Sequence, residues 1–140
     1  MALAAMLIAT QAAAVPAGNF PLGDWYMEKH GKAFSLYSVD RIYANGAWVS
    51  EFLECFAGKS RTHVESGTWV YKDSHLTLTT SLIGGVYKVR VEHYDILSHD
   101  QYRFAATTVG NDKFWFTPSQ SFTETRVSHS SKLPGCDPVS

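Results

Sequence analysis

The sequence predicts an all-β protein folded as an antiparallel up-and-down barrel of about eight or nine strands. Three observations carry that expectation. Pro, Gly, Asn and Asp punctuate the chain every 8 to 14 residues, and the runs between them are rich in Val, Thr, Tyr, Phe and Trp, the spacing of a sandwich or barrel. A G-x-W pattern recurs at Gly23-Asp24-Trp25, Gly46-Ala47-Trp48 and Gly67-Thr68-Trp69, in steps of 23 and 21 residues. No segment beyond the N-terminal stretch keeps a helical period over three turns.

In chain order, Met1 to Ala17 reads as a secretory signal peptide: an uncharged apolar run too short to span a bilayer as a helix, then small residues. It lacks a basic start. The barrel is expected over 18–127, with strands at 24–29, 33–43, 47–57, 61–71, 75–82, 86–97, 101–108, 113–117 and 121–127. Asn45-Gly46 is the strongest hairpin signal, as a type I′ turn. Gly84-Gly85 is the second. Looser turns fall at His30-Gly31, Ala57-Gly58-Lys59, Lys72-Asp73-Ser74, Ser98-His99-Asp100 and Gly110-Asn111-Asp112. Leu76 to Thr79 alternates cleanly, and Tyr87, Val89 and Val91 alternate with Lys88, Arg90 and Glu92, each pattern marking one dry and one wet face. Between Phe34 and Tyr43 the apolar phase switches, which predicts a bulge or a bend. Closure is expected because a long meander with open edges aggregates. The tail, 128–140, carries no strand pattern.

Composition narrows the function classes. The formal charge of −1, from 12 basic and 13 acidic residues with no basic stripe, argues against nucleic acid or an anionic membrane surface as partner. Cys55 and Cys136 form an even count behind a signal sequence, which points to a disulfide; two free thiols or metal ligation are the alternatives. A bridge that long is worth about 4–5 kcal/mol in the chain-entropy model, and it would pin the tail to a mid-chain strand.

The residues then resemble the lipocalin-like proteins of the calycin group. Gly23-Asp24-Trp25 is similar to the G-x-W motif that opens the first barrel strand there. Arg126, in Phe122-Thr123-Glu124-Thr125-Arg126, matches the arginine of the last strand. The resemblance implies that Arg126 stacks on Trp25 and closes one barrel end, a cation–π contact of about 1–2 kcal/mol. It gives Gly23, Trp25 and Arg126 structural roles, and it also implies a disulfide between barrel and tail. Gly67 to Thr79 resembles the strand–turn–strand block of small bacterial lipocalin-like domains. The likeness spans about residues 20 to 136. It lacks the helix before the last segment and the family's T-D-Y signature, with Glu92-His93-Tyr94-Asp95 in that neighbourhood. Avidin-like barrels and barrel-type bacterial metalloprotease inhibitors share the architecture.

A barrel of this size is filled by its own side chains or holds one small ligand. The aromatic residues, 14% of the chain, exceed what a core of this size needs. Trp48, Phe52, Trp69, Tyr71, Tyr87 and Phe104 are the expected lining of a pocket for a small hydrophobic molecule, without catalysis, cofactor or metal. A secreted or periplasmic monomer is expected. The alternative is a protein-interaction module with a filled barrel, such as a protease inhibitor. His63 with Glu65, and His93 with Asp95, share strand faces, but they read as solvent-facing or rim positions; an enzyme would need His63, Glu65, His93 or Asp95 to converge in a cavity. Phe114-Trp115-Phe116 must turn one ring outward, which makes Trp115 a candidate partner contact.

Overall fold

The computed structural model describes residues 19–109 and 121–136. Eight antiparallel strands close into one barrel in sequence order. They are β1 (Gly23–His30), β2 (Phe34–Ile42), β3 (Ala47–Phe56), β4 (Lys59–Lys72), β5 (His75–Ile83), β6 (Val86–His99), β7 (Arg103–Thr108) and β8 (Ser121–Val127). β8 pairs back onto β1, with Trp25 opposite Arg126. The all-β antiparallel barrel expected from the sequence is the fold. The strand expected at 113–117, the residues Phe114, Trp115 and Phe116, and the signal peptide expected over 1–17 lie outside the described residues.

Tight turns set the meander. Ala57-Gly58, Asp73-Ser74 and Gly84-Gly85 each hold positive φ at both positions and each join strands through a two-residue loop, as type I′ turns require. Asn45-Gly46 is different. Gly46 alone has positive φ, at 87°. The loop is longer, closed by Gly46 N donating to Tyr43 O (3.1 Å) and Tyr43 N donating to Ala47 O (2.9 Å). Asn45 uses its side-chain oxygen to accept from Ala47 N at 3.0 Å, so it acts through its amide rather than through a left-handed backbone.

No bulge interrupts β2, which pairs in continuous register with β1 and β3. The mixed apolar phase has another cause: both faces of the strand are covered. Leu36 and Ile42 point into the barrel, while Tyr37 and Val39 point outward and are buried nonetheless. The tail lies over that outer face, anchored at three points. His129 Nδ1 meets Asp24 Oδ2 at 2.9 Å, Arg41 donates to Ser131 O at 3.1 Å, and Cys136 is disulfide-bonded to Cys55. Register shifts occur instead at Ser66/Gly67, Thr80/Leu82 and Ile96/Ser98.

One barrel end is closed by an apolar floor. Phe20, Trp25, Ile42, Trp48, Leu76 and Phe104 belong to one buried cluster. Trp25 is fully buried, donates from its indole nitrogen to Pro21 O at 2.8 Å, and meets Phe104 edge-on at 4.9 Å. The Arg126 guanidinium sits 4.2 Å from the Trp25 ring centroid and donates to Leu22 O at 2.9 Å and Gln101 O at 2.6 Å. A Cβ at Gly23 would stand 2.0 Å from that guanidinium. The glycine is what lets Arg126 close over the tryptophan.

Candidate functional site

Register with the floor decides which side chains enter the barrel. Leu76 is buried in the floor and pairs with Tyr94; Leu78 then pairs with Glu92 and Thr80 with Arg90. β6 therefore turns Arg90, Glu92 and Tyr94 inward and sends Tyr87, Val89 and Val91 to solvent. On β4, His63 and Glu65 take the same face as Trp69 and Tyr71, which pack against the floor. His63 and Glu65 face in, with side chains 15% and 2% exposed, while Val64 and Val70 face out. The first result overturns the inward reading of Tyr87, and the second overturns the solvent-facing reading of His63 and Glu65. The physical reason is that pairing to β5 fixes the phase, and β6 cannot satisfy Leu76 while also burying Tyr87.

Above the floor these residues make a polar belt. Arg90 joins Glu65 and Glu92 in ion pairs. Tyr94 donates its hydroxyl to Glu92, and His63 lies 3.3 Å from Glu65. On the other wall, Ser50 donates to Asp40, which also shares a hydrogen bond with Glu124. Burial raises the Asp40 carboxyl above its ordinary value, and Glu92 and Glu65 add to the rise, against the hydrogen bonds from Glu124 and Ser50 that lower it. Burial and the facing Asp40 push Glu124 well above the usual carboxylate range. Burial and Glu92 likewise push Tyr94 far up. Nearer the opposite end, Glu54 pairs with Arg61 at 2.6 Å, and burial lowers the Lys29 ammonium.

The belt is not self-satisfied. Ser38 Oγ, Thr80 Oγ1, Glu124 Oε2 and Glu54 Oε1 are buried without a hydrogen-bond partner. Groups of this kind are paired in most proteins, and each orphan costs about 1–3 kcal/mol. Ser38, Ser50, Thr80 and Thr108 are also small, on four different strands. They do not fill a barrel interior as Leu or Phe would.

The expected lining residues separate into three groups. Trp48 and Phe104 belong to the buried floor, and Trp69 and Tyr71 pack against it. The indole nitrogen of Trp69 donates to Tyr43 O at 2.8 Å, whereas that of Trp48 is buried without an acceptor. Phe52 faces inward beyond the belt and stacks on His63 at 4.8 Å. Tyr87 is 75% exposed on the outer wall, so it is no part of the interior. The two His–carboxylate pairs do not meet. His63 and Glu65 are inside, but His93 and Asp95 are outside, where His75 binds Asp95 at 2.9 Å and approaches His93 at 3.3 Å. Among the described residues no group of three His, Cys, Asp or Glu side chains is placed to hold a metal.

Sequence reasoning missed Ser38, Asp40, Arg90, Glu92 and Glu124. One signal was available for Glu124: it stands two residues from Arg126, so the arginine that faces Trp25 forces it inward. Outside the barrel, a groove of about 450 Å³ runs between the β1–β2 and β3–β4 hairpins, beside the disulfide. No protein-family model, curated protein or solved structure matches the chain.

Proposed function

We propose that this chain is a secreted or periplasmic, lipocalin-like barrel that binds one small molecule and does no chemistry on it. The observation that carries the reading is the set of buried, partnerless polar atoms facing inward from β2, β3, β5 and β8. A barrel that filled itself would place apolar side chains there, or pair the polar ones with one another. A ligand with an apolar body and a polar head fits both layers: the body on the aromatic floor, the head in the belt. This modifies the expectation of a purely hydrophobic ligand. The Trp25–Arg126 closure beside Gly23 supports the lipocalin-like assignment. The Cys55–Cys136 disulfide supports an oxidising compartment.

Tryptophan emission tests the reading, because Trp48 and Trp69 border the binding layer. Amphipathic aromatic probes are expected to quench it saturably, and Thr80→Phe, which fills the belt, is expected to abolish the response while the protein still unfolds cooperatively. A quench that Thr80→Phe leaves intact contradicts interior binding.

A second reading has an observation of its own. Val64, Val70, Leu82, Tyr87, Val89 and Val91 are exposed apolar side chains on the outer wall of β4–β6, the kind of surface that contacts a protein partner. Tyr87→Lys separates the two readings: it leaves small-molecule binding unchanged and weakens only a partner contact.

A further inference from the structure

Resting on the small-molecule reading above, we infer that the ligand's polar head is a cation, an ammonium carried on an apolar or aromatic body. The charges around the belt argue the sign. Four inward carboxylates, Asp40, Glu65, Glu92 and Glu124, come from four different strands, with Glu65 and Glu124 buried and Asp40 and Glu92 half-buried. Arg90 contacts two of them, Glu65 and Glu92. Asp40 and Glu124 are held by each other and by the Ser50 hydroxyl. Of the other inward cations, Arg61 pairs with Glu54, His63 stands against Glu65, and Lys29 lies two residues past Met27 toward the β1–β2 hairpin.

An anionic head would enter beside carboxylates already in excess, in a site where burial strengthens the repulsion. An ammonium brings what the Asp40–Glu124 wall lacks. Its positive charge favours the ionised carboxylates, and its N–H groups reach oxygens that have no donor. Two such acceptors are present, both from residues at most 5% exposed: Glu124 Oε2, and Ser38 Oγ two residues along the same inward face as Asp40. The surroundings suit an aromatic or alkyl body. Phe104 is directly opposite Glu124 in register, Phe122 is two residues from it, and Tyr94 and Phe122 meet edge-on at 5.6 Å. Ring faces near a cation add to its binding.

Calorimetry with three probes of closely matched size, 2-phenylethylammonium, 2-phenylethanol and phenylacetate, tests the sign of the head at pH 7 on the full chain. The ammonium is expected to bind at least tenfold more tightly than the alcohol, and the carboxylate weakest. Glu124→Gln and Asp40→Asn each keep the shape of the site and are expected to cost the ammonium tenfold or more while leaving the alcohol within twofold. Circular dichroism and the unfolding midpoint establish that the variants fold. Equal or tighter binding of the alcohol or the carboxylate overturns the cation and leaves the binding barrel standing. Failure of all three probes, with longer-chain homologues of each, overturns both readings and leaves water as the occupant of the belt.

Discussion

At the scale of residues, the three G-x-W glycines have three separate causes. Gly23 makes room for Arg126. Gly46 supplies a positive φ and has open space around it. Gly67 lies at a register shift where a Cβ would stand 1.8 Å from the backbone oxygen of Thr79. Backbone cannot step aside as a side-chain tip can, so Gly67→Ala must part β4 from β5. We expect it to cost about 2–4 kcal/mol in urea unfolding, while Gly46→Ala costs about 1 kcal/mol. Arg126→Ala loses a cation–π contact and two hydrogen bonds, for about 2–3 kcal/mol. The buried carboxylates behave oppositely. Asp40 and Glu124 hold protons more tightly folded than unfolded. Their penalty is therefore absent below the unfolded values of 3.8 and 4.5 and grows as pH rises toward the folded ones. Glu124→Gln removes it, and without ligand it should stabilise the chain by about 1–2 kcal/mol at pH 8 and by much less near pH 4.5. A gain that is the same at both pH values contradicts this account.

Elements show where the sequence was legible and where it was not. Seven of the expected strands through 101–108, and the last at 121–127, correspond to β1–β8 within a few residues, because turn residues and β-branched runs act locally. Facing was legible only where an anchor existed, as at Leu76, which sits in the floor. On β6 the rule that apolar residues go inside chose the wrong face for Tyr87, Val89 and Val91, and on β4 it placed Trp69 and Tyr71 inward but missed His63 and Glu65 on the same face. On β2 the two-sided burial was readable as a change of phase, but its cause is the tail, distant in sequence and tied on by Cys136. Cys136→Ser is expected to lower stability by about 4 kcal/mol at most and to speed amide exchange around Tyr37 and Val39 before it affects β5. Slowed exchange or no change there would show that the tail does not cover β2. Turn chemistry gives a second test. Ser74 holds φ at 61°, a strained value for a non-glycine, and Ser74→Gly should raise the unfolding midpoint by an amount equal to about 0.5–1 kcal/mol.

For the whole molecule, the barrel divides into a floor whose purpose is stability and a belt that is costly to bury. The floor was visible in advance through Trp25 and Arg126, because its residues follow the usual preference for apolar interiors. The belt was not visible, because it breaks that preference: Glu65, Arg90 and Glu92 occupy inward positions while Val64, Val89 and Val91 take the outside. Departures of this kind are where function concentrates, and here they coincide with the partnerless polar atoms. The direct test is a nitrogen–proton NMR titration of the full chain with 2-phenylethylammonium and its neutral analogue. The account predicts saturable shifts at Ser38, Asp40, Thr80, Glu92 and Glu124, on four strands, β2, β5, β6 and β8, whose inward faces share the barrel interior. Shifts confined to Tyr87, Val89 and Val91 on the outer wall, or none at all, would contradict it.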